Sequence, residues 1–83
     1  MVSTAPAANA ATPGCVRLWQ QDRWSIFGAR SYAWAQNNCG RTIRLKFDWA
    51  HDFDGSCITY VSGYIHEEVR IGYAPYVRAA NLC

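Results

Sequence analysis

The chain is short of lysine, histidine and acid. Of eight basic residues only Lys46 is lysine, six residues are acidic, and His51 and His66 are the only imidazoles. The resulting net charge of +2 is far from the dense basic stripe of a nucleic-acid binder, so DNA and RNA are not expected partners. No apolar run approaches the roughly 18 residues that a membrane helix needs, which speaks against a membrane partner. No C-x-x-C pair is present, so the usual spacing of a zinc site is missing. With 83 residues there is no room for a second core, nor for most nucleotide-binding or barrel enzymes.

What the chain does have is rings and cysteines. Aromatic residues make up 14% and charged residues 17%, a balance that argues for a folded chain. A domain this small buries only about two-thirds of its unfolded surface, so the four cysteines read as staples. Their even number points to an oxidising compartment and a secreted protein. Residues 2–14 are small, uncharged and aperiodic, which predicts a flexible leader over 1–14 ahead of one domain at 15–83. Ala8-Asn9-Ala10 has the small-x-small pattern of a signal cleavage site, without the basic and apolar regions that precede one.

Hydrophobic alternation is clearest from Arg41 to Trp49, where Ile43, Leu45, Phe47 and Trp49 alternate with polar residues. A turn cluster, His51 to Ser56, leads to a β-branched and aromatic run, Cys57 to Val61, and the two runs form a hairpin. Cys15 to Trp24 and Ala29 to Gln36 flank Ile26-Phe27-Gly28 as a first hairpin, with Arg30, Tyr32 and Trp34 on one face. Tyr64 to Ile71 and Tyr76 to Cys83 are two further strands. Pro75 between them confines them to sheet edges. Six short strands predict an all-β sandwich or barrel. Four cysteines allow three connectivities; sequential pairing asks least of the chain, because Cys15 and Cys39 lie just outside the arms of the first hairpin.

Catalytic constellations are poorly served. His51 sits in a turn and His66 in a strand, both as ordinary surface or edge residues. Glu67 and Glu68 are strand neighbours on opposite faces and cannot flank one glycosidic bond. Asp52-Phe53-Asp54-Gly55 has the opening of a calcium loop but lacks its third ligand and closing glutamate, so it reads as a hairpin turn. Neither a metal, a cofactor nor an enzymatic activity is expected. The chemistry concentrates in the first hairpin instead, in Trp19, Arg23, Trp24, Phe27, Arg30, Tyr32 and Trp34, residue types that dominate binding hot spots. Trp19 is expected to fill the core and most of the others to lie exposed.

The run Cys15-Val16-Arg17-Leu18-Trp19-Gln20-Gln21-Asp22-Arg23-Trp24 resembles the opening of the microbial proteinaceous α-amylase inhibitors of the tendamistat type. Asn38-Cys39-Gly40, the alternating strand after it, the interval from Cys39 to Cys57 and the final cysteine are similar to that family too. The resemblance covers Cys15 to Cys83. It implies a six-stranded antiparallel, Greek-key-like β-sandwich, disulfides Cys15–Cys39 and Cys57–Cys83, secretion, and a monomer that occludes the cleft of an α-amylase-type glycoside hydrolase. The family does this with a Trp-Arg-Tyr triplet, for which this chain has Asp22-Arg23-Trp24. The target-binding set is therefore Asp22, Arg23, Trp24, Phe27, Arg30, Tyr32 and Trp34. An alternative function is a non-inhibitory module whose exposed rings recognise carbohydrate or another protein.

Two departures bear on that set. A carboxylate, Asp22, leads the triplet and would repel an amylase's own carboxylates. The interval between Cys15 and Cys39 is longer than the family's, which leaves two placements of the chain reversal. Either the family's turn is kept at Arg23 and the extra residues bulge out after it, or the whole hairpin lengthens and its tip moves to Phe27-Gly28. In the second case Arg23 lies down the arm across from about Ser31, with Trp24 facing Arg30. The ungapped match through Trp24 favours the first.

Overall fold

A computed structural model describes residues 12–26, 28–72 and 75–83. Six strands, β1 (Val16–Ser25), β2 (Gly28–Asn37), β3 (Ile43–Ala50), β4 (Ile58–Tyr60), β5 (Ile65–Ile71) and β6 (Tyr76–Leu82), form two antiparallel three-stranded sheets in the orders β1-β2-β5 and β4-β3-β6. The two strands on either side of Pro75, β5 and β6, are both edge strands.

The core is divided unequally between the sheets. Alternation in β3 sends Leu45, Phe47 and Trp49 inward, and Tyr60 of β4 joins them; all four are essentially inaccessible. Facing them, β2 offers Ser31, Ala33, Ala35 and Asn37, small side chains that let the sheets close over the bulky rings. One sheet fills the core and the other makes room for it.

Asn37 locks the base of the sandwich. Fully buried, its amide nitrogen donates to the carbonyls of Arg41 (2.7 Å), Tyr60 (3.0 Å) and Val61 (3.2 Å), while Oδ1 accepts the Cys39 N–H (2.9 Å). Cys15–Cys39 closes the mouth of the β1–β2 hairpin and Cys57–Cys83 ties the start of β4 to the chain end. Both are the sequential pairs, and each contributes about 3 kcal/mol on the loop-entropy account. Burial first, then the nearby Glu68 and Tyr64, pushes the Tyr60 phenol well above its ordinary range.

Of the stretch read as a flexible leader, residues 1–11 lie outside the described residues. Thr12 is in place against the sandwich, its hydroxyl accepting the Ala80 N–H at 3.0 Å, and the Pro13 carbonyl accepts the Val16 N–H at 2.9 Å.

Candidate target-contact hairpin

The first two strands outrun the body of the sandwich. Gln20 is the last inward residue of β1 held by the facing sheet: its Oε1 accepts the Val77 N–H at 2.7 Å, and its Nε2 donates to Asp22 Oδ1 at 2.7 Å. From Gln21 to Ile26 every residue is exposed. At about 3.3 Å per residue, Gln21 to Ser25 makes an arm of about 13 Å. The register is ungapped from Val16↔Asn37 to Ser25↔Gly28, so the reversal falls between Ser25 and Gly28. Gly28 stands at φ 117°, a conformation that side chains resist, which explains why glycine reopens the second arm.

This corrects the favoured placement of the turn. Arg23 is a strand residue, and the extra residues lengthen the hairpin as a whole, because the ladder closes symmetrically outward from the Cys15–Cys39 staple. Arg23 pairs with Arg30 and Trp24 with Ala29, one position from the expected partners. Phe27, assigned to the target-binding set, lies outside the described residues.

Alternation then sorts the arm's side chains. Trp19↔Trp34, Gln21↔Tyr32 and Arg23↔Arg30 are directly opposed, so all six project from the outer face, away from the core. Trp19 is half-buried there, stacked on Trp34 with centroids 5.8 Å apart; it does not fill the core, whose ring volume comes from the other sheet. Tyr32 stacks on Trp34 at 6.1 Å. Guanidiniums stand at both ends of this row, Arg17 4.4 Å from the Trp19 ring centroid and Arg23 5.7 Å from that of Tyr32. Trp34 Nε1 donates to Glu67 of β5 at 2.9 Å. Arg17 was absent from the expected site, although its two-residue spacing from Trp19 places it on the same face.

Asp22 and Trp24 take the opposite face. Asp22 therefore does not point where Arg23 points; its carboxylate accepts from Gln20, which in turn is anchored on Val77. Trp24 is 77% exposed. Neither Arg23 nor Arg30 has a carboxylate partner among the described residues. Arg23, Trp24, Ser25, Gly28, Arg30 and Tyr32 line a hollow of about 290 Å³ on the arm, just under the 300 Å³ or so at which drug-sized ligand pockets begin.

The two glutamates part as expected, Glu67 outward to Trp34 and Glu68 inward to Trp49 Nε1 (3.2 Å). His66 lies on the edge strand β5, as an edge residue, but on its core-facing side. Its ring is half-buried against Phe47 (centroids 5.8 Å) and Tyr60 (5.8 Å), with Nε2 3.2 Å from Glu68 Oε2, because β5 turns its even-numbered residues toward the core.

The fold is a two-sheet sandwich stapled by two disulfides, whose first hairpin carries on its outer face a row of rings and arginines that the core does not use. The sequence model of the alpha amylase inhibitor family matches residues 11–83, nearly the whole chain, and the protein belongs to that family. Searches of curated proteins and of solved structures gave no significant match.

Proposed function

We propose that the protein is a secreted, non-enzymatic inhibitor of an α-amylase that enters the active-site cleft with the β1–β2 arm. The observation that carries this reading is the family match over residues 11–83. The geometry supports it in three ways. On its β1 side the arm is exposed from Gln21 to Ile26, so that edge can enter a cleft without unfolding anything, while β5 borders the β2 side as far as the Gly72 N–H, which donates to the Ala29 carbonyl at 3.4 Å. Arg23 and Arg30 bring two acid-free guanidiniums to one side of it, and glycoside hydrolases catalyse with paired carboxylates, to which charge-assisted bidentate bonds are strong. Asp22, whose charge would oppose such contact, is turned to the other side and hydrogen-bonded to Gln20. In this reading Arg23, Arg30 and Tyr32 meet the cleft on one side, Trp24 lies along the other, and Trp34 supports Tyr32 from below. The two disulfides suit an extracellular setting.

Carbohydrate recognition is less well served by the same rings. Sugar stacking uses a free aromatic face, whereas Trp19, Trp34 and Tyr32 face one another and have arginines at the ends of the row. An inhibition titration against mammalian and bacterial α-amylases tests the proposal. Stoichiometric, reversible loss of starch hydrolysis is expected. No inhibition at micromolar protein, together with retention on a polysaccharide column, would reject it in favour of the carbohydrate-binding alternative.

A further inference from the structure

Exposed apolar side chains are normal when scattered singly, but here the largest exposures gather at one end of the molecule. Among the described residues the four most exposed large hydrophobic side chains are Ile26 (93%), Phe53 (86%), Trp24 (77%) and Ile71 (66%). Ile26 and Trp24 belong to the arm, and Ile71 of β5 pairs with Arg30, which stands opposite Arg23 partway along it. Phe53 comes from the β3–β4 loop, far along the chain, yet Arg70, one residue before Ile71, donates to its carbonyl at 3.3 Å. The loop therefore flanks the root of the arm.

That loop is built for rigidity at the point where it exposes a ring. Arg70 reaches Asp52 (3.7 Å), Glu68 (3.3 Å) and the Phe53 carbonyl, and lies 4.9 Å from the Trp49 ring centroid. The Phe53 N–H donates to Asp52 Oδ1 at 2.7 Å. His51 holds φ 66°, a left-handed backbone uncommon outside glycine, and packs edge-on against Tyr76. Gly55 seats the far side of the loop on the Phe47 carbonyl at 2.9 Å, where a Cβ would run into the Glu68 carboxylate. All of these contacts fix the backbone around Phe53, while its own side chain stays in water. With its backbone already ordered, the loop adds little ordering cost on binding beyond the two side-chain torsions of the Phe53 ring itself.

We infer that Phe53 is a second anchor, docking into an apolar pocket on the rim of the same glycoside hydrolase whose cleft receives the β1–β2 arm. This rests on the inhibitor reading above, since the partner is that enzyme. The inferred contact is two-pronged: the arm supplies the charged insertion and the Phe53 loop the apolar seat beside it.

The test compares the full chain with its Phe53→Ala and Phe53→Tyr variants in inhibition constant, dissociation rate and melting temperature. Phe53→Ala is expected to raise the inhibition constant at least 30-fold, mostly through faster dissociation, with melting unchanged because the ring packs on nothing. Phe53→Tyr keeps the ring and is expected to restore inhibition to within a few-fold of the parent. Parental inhibition that Phe53→Ala leaves intact would overturn the second anchor alone. Absence of inhibition by the parent would remove the inhibitor reading and the anchor together.

Discussion

Arg23 and Arg30 face each other across the β1–β2 ladder. Like charges directly opposed in a sheet cost stability by a few tenths to about 1 kcal/mol, and opposite charges gain a similar amount. No carboxylate among the described residues offsets the repulsion, and Asp22, the nearest acid in sequence, sits on the other face. Replacing Arg30 with Glu therefore turns a repulsive pair into an attractive one, a swing of about 0.5–2 kcal/mol. For a domain of this size, 1 kcal/mol moves the melting temperature by about 4–8 °C, so Arg30→Glu is expected to melt a few degrees higher than the parent. Both residues are exposed, so the gain should shrink as salt is raised to 1 M, where the Debye length falls to about 3 Å. Inhibition moves the other way. A carboxylate facing the target's catalytic acids loses an attraction and adds a repulsion, worth at least about 2 kcal/mol, or nearly 30-fold in the inhibition constant. Differential scanning calorimetry at two salt concentrations and an inhibition titration give both numbers. A variant that melts lower, or that inhibits as well as the parent, would refute the assignment of this pair to the target.

Asn37→Ala strands the Cys39 N–H and three carbonyls that one buried amide now serves, so it is expected to cost about 3 kcal/mol or more in urea unfolding. The Tyr60 phenol is raised above its unfolded value of 10.0, so its contribution to stability is whole below pH 10 and is lost as pH rises toward the folded-state value. Tyr60→Phe should remove that alkaline decline in a pH series of melting temperatures; an unchanged decline would assign it to another group. Gly55→Ala drives a methyl into the Glu68 carboxylate, which already serves Trp49, His66 and Arg70. It should lower the melting temperature and weaken inhibition together, whereas Phe53→Ala weakens inhibition alone.

Strand positions were largely legible because period-two alternation in a half-buried strand follows directly from burial. Ile43, Leu45, Phe47 and Trp49 face the core as their spacing requires, and the two strands on either side of Pro75 lie at sheet edges as expected. Which face of the first hairpin meets the core was harder to read. In β2 the inward side chains are Ser31, Ala33, Ala35 and Asn37, and the outward ones include Tyr32 and Trp34, an inversion of the usual rule that large apolar residues go inside. Trp19 was misassigned to the core for the same reason. The turn was misplaced because similarity through Trp24 says where residues match, while the site of a reversal is set by the ladder that closes outward from the disulfide. The turn around Phe53 was legible in Asp52 and Gly55, but its tie to Arg70, distant in sequence, was not.

The inversion in β2 has a functional consequence. A sandwich this thin has room between its sheets for one set of rings, and the β4-β3-β6 sheet supplies them in Phe47, Trp49 and Tyr60. Because Ala33 and Ala35 complete that packing from the facing sheet, the aromatic residues of β1 and β2 are released from the core and stack outside it. There they stiffen the root of the arm without contributing to the interior, and Arg17 and Arg23 complete the row. On the proposed inhibitor reading, stability and recognition use separate faces of one strand, β2. Substitutions in its outer positions can retune the contact surface while Cys15–Cys39, Asn37 and the alanine face continue to hold the fold.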